Sequence, residues 1–249
     1  MLKTHISKVI LIYNNSDREV LRNINFCISK NMIYTILGKN GSGKSTLIKS
    51  LTGLLNNDLY KVDGKVFWFD DNIFEMKKER LLALRYSEIK YVLQDLTMNF
   101  DPLKTVKYYF DNSEMDEKSI SVQLKSFLLP DYQTLSQLHS YEISGGMAQR
   151  LNLMLAMSQK PKLLILDEPT SAIDYININL IKLKLSEFKK IGGSALIVTQ
   201  DISFAKEISD KIAFLHDNIL SEFTDSVHFF KASDPSLHNT FLQSYKELQ

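Results

Sequence analysis

The sequence predicts an α/β protein built around a parallel β-sheet with helices on its faces. Short runs rich in β-branched residues alternate with longer stretches of helical character, which is the pattern of such a sheet. Two of these runs, Ile33–Leu37 and Leu163–Leu166, are almost wholly apolar, as expected for strands buried on both faces. Between residues 95 and 158 the strand signal disappears, so we expect a helical insertion between two strands of the sheet.

Each predicted strand is a short run of β-branched, aromatic or other apolar residues. The strands are Val9–Tyr13, Phe26–Ile28, Ile33–Leu37, Val66–Phe69, Tyr91–Leu93, Leu163–Leu166, Leu196–Thr199 and Ile212–Leu215. The longer stretches between them have helical periodicity. These helices are Lys44–Leu55, Lys77–Leu84, Met147–Ser158, Asn177–Lys190 and Ser203–Ile208. Beyond Leu220 the tail has the pattern of an amphipathic helix.

Composition limits the class of protein. The 249 residues carry 30 Lys and Arg against 29 Asp and Glu, and this balance argues against a nucleic-acid partner, because such binding depends on neutralised phosphates. The single cysteine, Cys27, excludes an internal disulfide and favours a reducing compartment; between Phe26 and Ile28, it is expected to be a core residue. The apolar runs are far shorter than the roughly 18–20 residues that span a bilayer, so we expect a soluble, intracellular protein.

A glycine-rich loop follows the apolar strand Ile33–Leu37 and precedes a predicted helix. It reads Gly38-Lys39-Asn40-Gly41-Ser42-Gly43-Lys44-Ser45 and fits the pattern G-x-x-x-x-G-K-S/T, whose confirming context is a strand followed by a helix. The glycines allow successive backbone N–H groups to point inward, and the helix N-terminus adds partial positive charge. Lys44 supplies a charge for the β- and γ-phosphates, and the Ser45 hydroxyl can bind Mg²⁺. The loop therefore predicts a nucleotide site.

Two carboxylates end the second buried strand. Asp167 and Glu168 follow Leu163–Leu166 directly, and ligands bind at the carboxyl ends of parallel strands. Asp167 is placed to hold Mg²⁺, directly or through water. Glu168 can polarise a water molecule for in-line attack on a γ-phosphate.

A second anion-binding turn stands at the start of the helix Met147–Ser158. Ser144-Gly145-Gly146 presents bare backbone amides at a helix start, where anions bind favourably. Two phosphate-binding turns in different parts of one chain suggest a nucleotide clamped between two surfaces.

Together these motifs resemble the ATP-binding cassette (ABC) ATPases over nearly the full length of the chain. The family's motifs occur in its order, as the glycine-rich loop, Gln94, the Ser144-Gly145-Gly146 signature, the Asp167-Glu168 pair and Ser171-Ala172-Ile173-Asp174. The resemblance implies a P-loop NTPase (RecA-like) core with an N-terminal antiparallel β subdomain and an inserted helical subdomain. It implies a single ABC ATPase domain over residues 1–249, with the β subdomain and core in 1–94 and 159–249 and the helical subdomain in 95–158.

The resemblance also implies a role for each matching position. The loop residues that would hold ATP are Gly38, Asn40, Gly41, Ser42, Gly43, Lys44, Ser45 and Thr46, with Ser45, Gln94 and Asp167 on Mg²⁺. Gln94 would sense the γ-phosphate, and Glu168 would act as the catalytic base. Ser144, Gly145 and Gly146 would close on the ATP of a partner subunit, and Asp174 would lie at that dimer interface. Tyr13 has the spacing of the family's adenine-stacking aromatic residue, although a half-buried strand tyrosine would look the same.

The sequence departs from the family at one catalytic position. The family usually has a histidine after the strand that corresponds to Leu196–Thr199, and this chain has Gln200. A glutamine keeps an amide donor that can reach a phosphate oxygen, but it cannot become cationic or carry a proton. The hypothesis is that this site binds ATP and turns it over slowly. The alternative is that Gln200 works adequately, since the base Glu168 is present.

Within the family, the stretch from Leu84 to Val106 resembles the oligopeptide, dipeptide and nickel importer ATPases. Asp234-Pro235 and His238–Leu242 are similar to that group's terminal segment, and Met147 is also usual in one importer group. Such proteins work at the cytoplasmic face of the membrane with a second, non-identical ATPase subunit, two permease subunits and an extracellular solute-binding protein. The alternatives are the ATPase of an exporter, a non-transport ABC protein, and an ATP-gated assembly subunit that hardly hydrolyses.

Overall fold

A computed structural model describes residues 1–13, 16–92, 100–171 and 174–231. The chain forms two compact units, one of Met1–Leu81 and Leu196–Gln249 and the other of Leu82–Ala195. These limits differ from the predicted subdomain limits at 94/95 and 158/159, which remain a prediction. In the described part of the chain, no helix is both long enough and apolar enough to span a membrane.

The structure has the following elements in its described residues. The strands are β1 (Leu2–Tyr13), β2 (Ser16–Ile28), β3 (Ile33–Leu37), β4 (Tyr60–Trp68), β5 (Asp71–Asn72), β6 (Ile89–Val92), β7 (Leu163–Asp167), β8 (Ser194–Thr199), β9 (Lys211–His216), β10 (Ile219–Leu220) and β11 (Thr224–Asp225). The helices are α1 (Lys44–Leu51), α2 (Lys78–Ala83), α3 (Val106–Asp111), α4 (Glu117–Ser126), α5 (Tyr132–Ser136), α6 (Gly145–Ser158), α7 (Tyr175–Lys190), α8 (Ile202–Ile208) and α9 (Ser226–Lys231).

The first unit contains an antiparallel sheet in the order β2-β1-β4-β5. Leu2, Thr4 and Ile6 of β1 are buried while the residues between them are exposed, because successive side chains of a strand point to opposite faces. The same alternation corrects the expectation for Cys27. Phe26 and Ile28 are buried, and Cys27 lies exposed on the opposite face of β2.

A β-bulge shapes this sheet where β1 pairs with β4. The register shifts between Ile6 and Lys8, opposite Gly64, whose φ is +146°. A Cβ atom at Gly64 would lie 2.3 Å from the carbonyl oxygen of His5. Only glycine therefore fits the close approach of the two backbones.

The same unit contains the strands that carry the loop after β3. These strands lie in the order β10-β9-β3-β8, and β3 pairs with β9 in parallel. All five residues of β3 are buried, as the apolar run predicted. Helix α1 is shorter than predicted and ends at Leu51 instead of Leu55. Gly53 takes a left-handed conformation with φ +63°, and the N–H groups of Gly53 and Leu54 bond back to Ser50 and Lys49, which is the usual glycine-terminated helix end.

The second unit combines two parallel strands with a group of helices. β6 pairs with β7 in the register Ile89↔Leu163 through Val92↔Leu166, and α6 packs against β6, α4 and α7. Side-chain oxygens cap the helix starts, since Asp116, Asp131, Ser144 and Asp174 each accept a backbone N–H bond in α4, α5, α6 and α7. Such caps satisfy N–H groups that the helix itself leaves unpaired.

Candidate nucleotide-binding site

The loop between β3 and α1 has the backbone form that a phosphate cradle requires. Gly41 and Gly43 have φ angles of +77° and +96°, which L side chains rarely adopt. A Cβ atom at Gly38 would lie 2.7 Å from Ser42 Oγ and 2.9 Å from the carbonyl oxygen of Leu215. The loop therefore depends on glycine at its first position as well, because the chain passes too close for any side chain.

The start of α1 is open to an anion. Its N-cap, Gly43, provides no side-chain cap, and the first turn contains no acidic residue. Ser42 Oγ is buried and has no hydrogen-bond partner among the described residues. An uncapped helix start favours negative charge, so the residues present fit a triphosphate.

Lys44 lies folded over this loop. Its side chain is 5% exposed, and Nζ donates hydrogen bonds to the carbonyl oxygens of Gly38 at 2.8 Å and Lys39 at 3.0 Å. These carbonyls hold the ammonium group at the loop, where it adds positive charge for a bound phosphate. Ser45 and Thr46 follow in the first turn of α1, and both are half-buried.

Gln200 lies beside the loop within the same unit. It is exposed and directly follows Thr199, the last residue of β8. The N–H of Gly38 donates to the carbonyl oxygen of Thr199 at 3.3 Å, so position 200 follows the residue that bonds the first glycine of the loop. The next residue, Asp201, caps α8 by accepting the N–H of Phe204 at 2.9 Å.

Tyr13 ends β1 at the tip of the β1–β2 hairpin. Its side chain is 64% exposed, and its Cα pairs with that of Ser16. The adjoining strand β2 packs on the loop, since a Cβ at Gly43 would meet side-chain atoms of Leu21 and Val20 at 3.2 and 3.3 Å. The hairpin thus offers an exposed aromatic ring on the strand pair that supports the loop, and stacking of adenine on Tyr13 remains a prediction.

In the second unit, Asp167 ends β7 with its side chain nearly enclosed. The residue is 4% exposed, and the Tyr91 hydroxyl donates a hydrogen bond to Asp167 Oδ2 at 3.3 Å. Burial raises the pKa of Tyr91, and the nearby charge of Asp167 and the hydrogen bond to it raise this pKa further. The phenol therefore stays protonated and remains a donor.

Glu168 occupies a turn that the helix α6 supports. It is 6% exposed and has a φ of +47°, a left-handed conformation that a non-glycine residue rarely adopts. Its carbonyl oxygen accepts the N–H of Ser171 at 3.1 Å. The side-chain amide of Gln149 donates to the carbonyl oxygen of Pro169, which ties the turn to α6.

The signature turn is exposed at the start of α6. Ser144 is an exposed residue whose Oγ accepts the N–H of Met147 at 3.3 Å. A Cβ atom at Gly145 would meet nothing within 4 Å, and one at Gly146 would lie 3.3 Å from Asn177 Nδ2. Contacts in the described chain therefore do not require a glycine at position 145.

The structure brings Asp174 beside this turn. Asp174 accepts hydrogen bonds from the backbone N–H and the Nδ2 of Asn177, both at 2.9 Å. Arg150 Nε donates to the carbonyl oxygen of Gly146 at 3.2 Å. Burial lowers the pKa of the Arg150 guanidinium, and the charge of Asp174 opposes that shift. The signature and Asp174 thus form one polar surface within this unit.

Sequence reasoning missed three residues that contact predicted site residues and a fourth, Gln149, that bonds the turn after Glu168. They are Tyr91, Gln149, Arg150 and Asn177. The partners of Arg150 and Asn177 were open to prediction, because residues three or four apart are neighbours on a helix and an N-cap side chain bonds the third residue of the helix. The partners of Tyr91 and Gln149 depend on tertiary packing. Gln94 lies outside the described residues, as does the C-terminal segment that resembles the importer group.

The fold and the loop after β3 define a P-loop NTPase. Residues 21–171 match the family model described as ABC transporter. The dipeptide transport ATP-binding protein DppD of Caldanaerobacter subterraneus is 33% identical over 84% of this chain and 67% of that protein. The metal-staphylopine import system ATP-binding protein CntD of Staphylococcus aureus is 30% identical over 83% of this chain and 80% of that protein.

Solved structures share the fold. The cbiO1 protein from Clostridium perfringens, part of the ABC transporter complex cbiONQ, has a TM-score of 0.73 and 25% identity, and the match covers 99% of this chain and 97% of that chain. The dimeric cassette MJ0796 bound to ADP and Pi has a TM-score of 0.76 and covers 91% of this chain and 99% of its own. This chain belongs to the ABC transporter family, as an ATP-binding subunit. The predicted fold class and the family resemblance are confirmed.

Proposed function

We propose that this chain is the ATP-binding subunit of an ABC importer and couples ATP binding and hydrolysis to uptake of peptides or of nickel or other metal chelates. Relatives at 33% and 30% identity are named for dipeptide transport and metal-staphylopine import. The resemblance of residues 84–106 to the same importer group supports this choice over an exporter.

The observation that carries the proposal is the exposed signature turn. Ser144 and Gly145 lie exposed at the N-terminus of α6, and the space around Gly145 is open. Among the described residues, no contact requires glycine at position 145, but a glycine lets a group from another molecule approach the backbone closely. The start of a helix favours an anion as that group. We infer that this turn closes on the triphosphate held by a second ATPase subunit.

Within the chain's own site, each residue has a chemical task. The loop amides and Lys44 bind the β- and γ-phosphates, and Tyr13 stacks on the adenine ring. Ser45, Asp167 and Gln94 would supply the oxygen donors that Mg²⁺ prefers, and the ion would neutralise phosphate charge and orient the γ-phosphate. Glu168 accepts a proton from the attacking water, and Gln200 donates its amide to a γ-phosphate oxygen.

The two ATPase subunits are proposed to differ. Gln200 cannot become cationic, so this chain's own site hydrolyses ATP slowly. Its signature would complete a faster site on a non-identical partner. Two permease subunits would hold the pair at the cytoplasmic face of the membrane, with an extracellular solute-binding protein delivering the cargo.

Co-purification tests this assembly. A tagged copy isolated from membranes is expected to retain a second ABC ATPase chain and two permease chains. Recovery of permease chains that act with no solute-binding protein would identify an exporter instead. The Glu168→Gln test needs a complex whose partner ATPase has had its own catalytic glutamate replaced, so that only this chain's site turns over. Glu168→Gln should then lower the residual ATPase rate; an unchanged residual rate would support the ATP-gated assembly subunit and contradict the proposal.

Nucleotide binding by the loop can be tested on the isolated chain. Lys44→Ala removes the ammonium group that Gly38 and Lys39 hold over the loop, so ATP affinity should fall by about tenfold or more, as expected for a charged hydrogen bond of roughly 1.5–3 kcal/mol. Lys49→Ala, in the last turn of the same helix, is the matched control and should leave affinity unchanged. Full affinity in Lys44→Ala would contradict the proposed role of the loop.

A further inference from the structure

The Tyr91 side chain reaches the carboxylate of Asp167 from the neighbouring strand. The Cα of Tyr91 pairs with that of Ile165 in the parallel register of β6 and β7. Asp167 lies two residues beyond Ile165 and hence on the same face of the sheet. The Tyr91 ring therefore runs along the strand direction, and its hydroxyl reaches Asp167 Oδ2 at 3.3 Å.

This hydrogen bond matters for the Asp167 carboxylate because the carboxylate is buried. Asp167 is buried at 4% exposure, and a buried carboxylate depends on the donors that the protein supplies. Tyr91 is itself half-buried, and its hydroxyl donates to the enclosed carboxylate from the adjacent strand. The hydrogen bond to Oδ2 fixes the orientation of the carboxylate group, and this in turn fixes the direction of its second oxygen, Oδ1.

We propose that Tyr91 is a positioning residue that orients the Asp167 carboxylate and thereby sets the Mg²⁺ affinity of the nucleotide site. This inference rests on the proposed role of Asp167 in holding Mg²⁺. Tyr91 is not a catalytic residue, because it acts through Asp167. A residue that hydrogen-bonds a metal ligand commonly changes metal affinity by about 10–100-fold when it is removed.

The test measures binding of a fluorescent ATP analogue to the full chain across a Mg²⁺ titration and, separately, in EDTA. Tyr91→Phe removes one oxygen atom and keeps the ring. We expect the Mg²⁺ concentration for half-maximal enhancement of nucleotide binding to rise about tenfold, with affinity in EDTA unchanged. Tyr91→Met, which also removes the hydroxyl, should give the same shift, and thermal unfolding establishes that each variant is folded.

Tyr86→Phe is the matched control. The Tyr86 hydroxyl also donates to a carboxylate, Glu114 Oε1, at 3.1 Å, but on the exposed surface of the same unit. It should change neither the Mg²⁺ dependence nor the affinity in EDTA.

Three outcomes would overturn the proposal. A Mg²⁺ dependence in Tyr91→Phe equal to wild type would remove Tyr91 from this role and leave the proposed function intact. If Tyr91→Phe lowered nucleotide affinity equally with and without Mg²⁺, Tyr91 would contribute only to packing. A wild-type chain that binds nucleotide independently of Mg²⁺ would instead contradict the metal-binding role of Asp167 itself.

A double substitution gives an independent check. In an Asp167→Asn background, Tyr91→Phe should cause no further change in Mg²⁺ dependence, because the residue acts through that carboxylate. An additional loss would show that Tyr91 acts by another route.

Discussion

At the scale of single residues, the two carboxylates at the end of β7, Asp167 and Glu168, differ in how the chain holds them. Asp167 receives a hydrogen bond from Tyr91, whereas Glu168 sits in a left-handed turn whose following residue, Pro169, is bound by Gln149. A strained backbone at a non-glycine residue persists only where its surroundings hold it. The turn therefore aims Glu168 independently of Asp167, which suits separate roles as base and metal ligand.

The proposed slow turnover of this site depends on Gln200. Gln200→His, in the chain assembled with its natural partners, should raise the ATPase rate because an imidazole can carry charge and a proton. The increase is expected to reach up to about 10²-fold, the usual value of one aligned transition-state contact. Steady-state phosphate release measures it.

Gln133→His is the matched control for that experiment. Gln133 lies exposed in α5, so the substitution adds a histidine away from the proposed site and should leave the rate unchanged. An unchanged or lower rate in Gln200→His would contradict the idea that glutamine slows this site.

At the scale of elements, a substitution at the start of α6 should lower ATPase activity without lowering the stability of the fold. Gly145→Ala places its Cβ in open space and replaces glycine in a helix, so the free energy of unfolding should stay equal or rise by a few tenths of a kcal/mol. The ATPase rate of the assembled complex should nevertheless fall, since the Cβ would obstruct a partner's triphosphate. Urea unfolding and phosphate release measure the two effects. An unaltered rate would argue against close approach at this turn.

For a substitution of Gly64 in β4 we expect the opposite, a less stable fold with unchanged ATP affinity. Its φ of +146° and the 2.3 Å approach of the His5 carbonyl oxygen leave no room for a side chain in the β1–β4 bulge. Gly64→Ala should therefore lower the free energy of unfolding by about 2 kcal/mol, as measured by urea titration. The remaining folded protein should keep its ATP affinity, because neither Gly64 nor His5 is among the nearest described neighbours of Gly38 and Gly43 in the loop after β3. A free energy of unfolding equal to that of the wild type would show that β1 and β4 can move apart to accommodate a side chain at position 64.

At the scale of the whole molecule, the proposal is an association that depends on ATP. A mixture of this chain and the proposed non-identical ATPase partner should form a dimer with MgATP and dissociate with ADP. Ser144→Arg, which places a long side chain on the exposed signature turn, should prevent the dimer while leaving ATP binding to the chain itself unchanged. Sedimentation velocity distinguishes the species. A dimer that forms equally well in the variant would place the interface elsewhere.

The family, the P-loop and the order of the elements were open to prediction from the sequence. The glycine-rich loop between an apolar strand and a helix is a local arrangement, because the backbone conformation of Gly41 and Gly43 depends on neighbours in the chain. The same holds for β3 and β7, whose apolar composition reflects burial on both faces. The length of α1 was missed because Gly53 ends the helix while the apolar pattern continues to Leu55.

What only the tertiary structure decided is which distant residues meet. The bond from Tyr91 to Asp167 joins two strands 76 residues apart in the chain, and the bond from Gln149 to Pro169 joins a helix to a turn. The exposure of Cys27 likewise depends on which face of β2 is covered. A local sequence pattern indicates the backbone conformation and the burial of a segment. Contacts between distant segments depend on strand register and side-chain packing, which are fixed only when the whole chain folds.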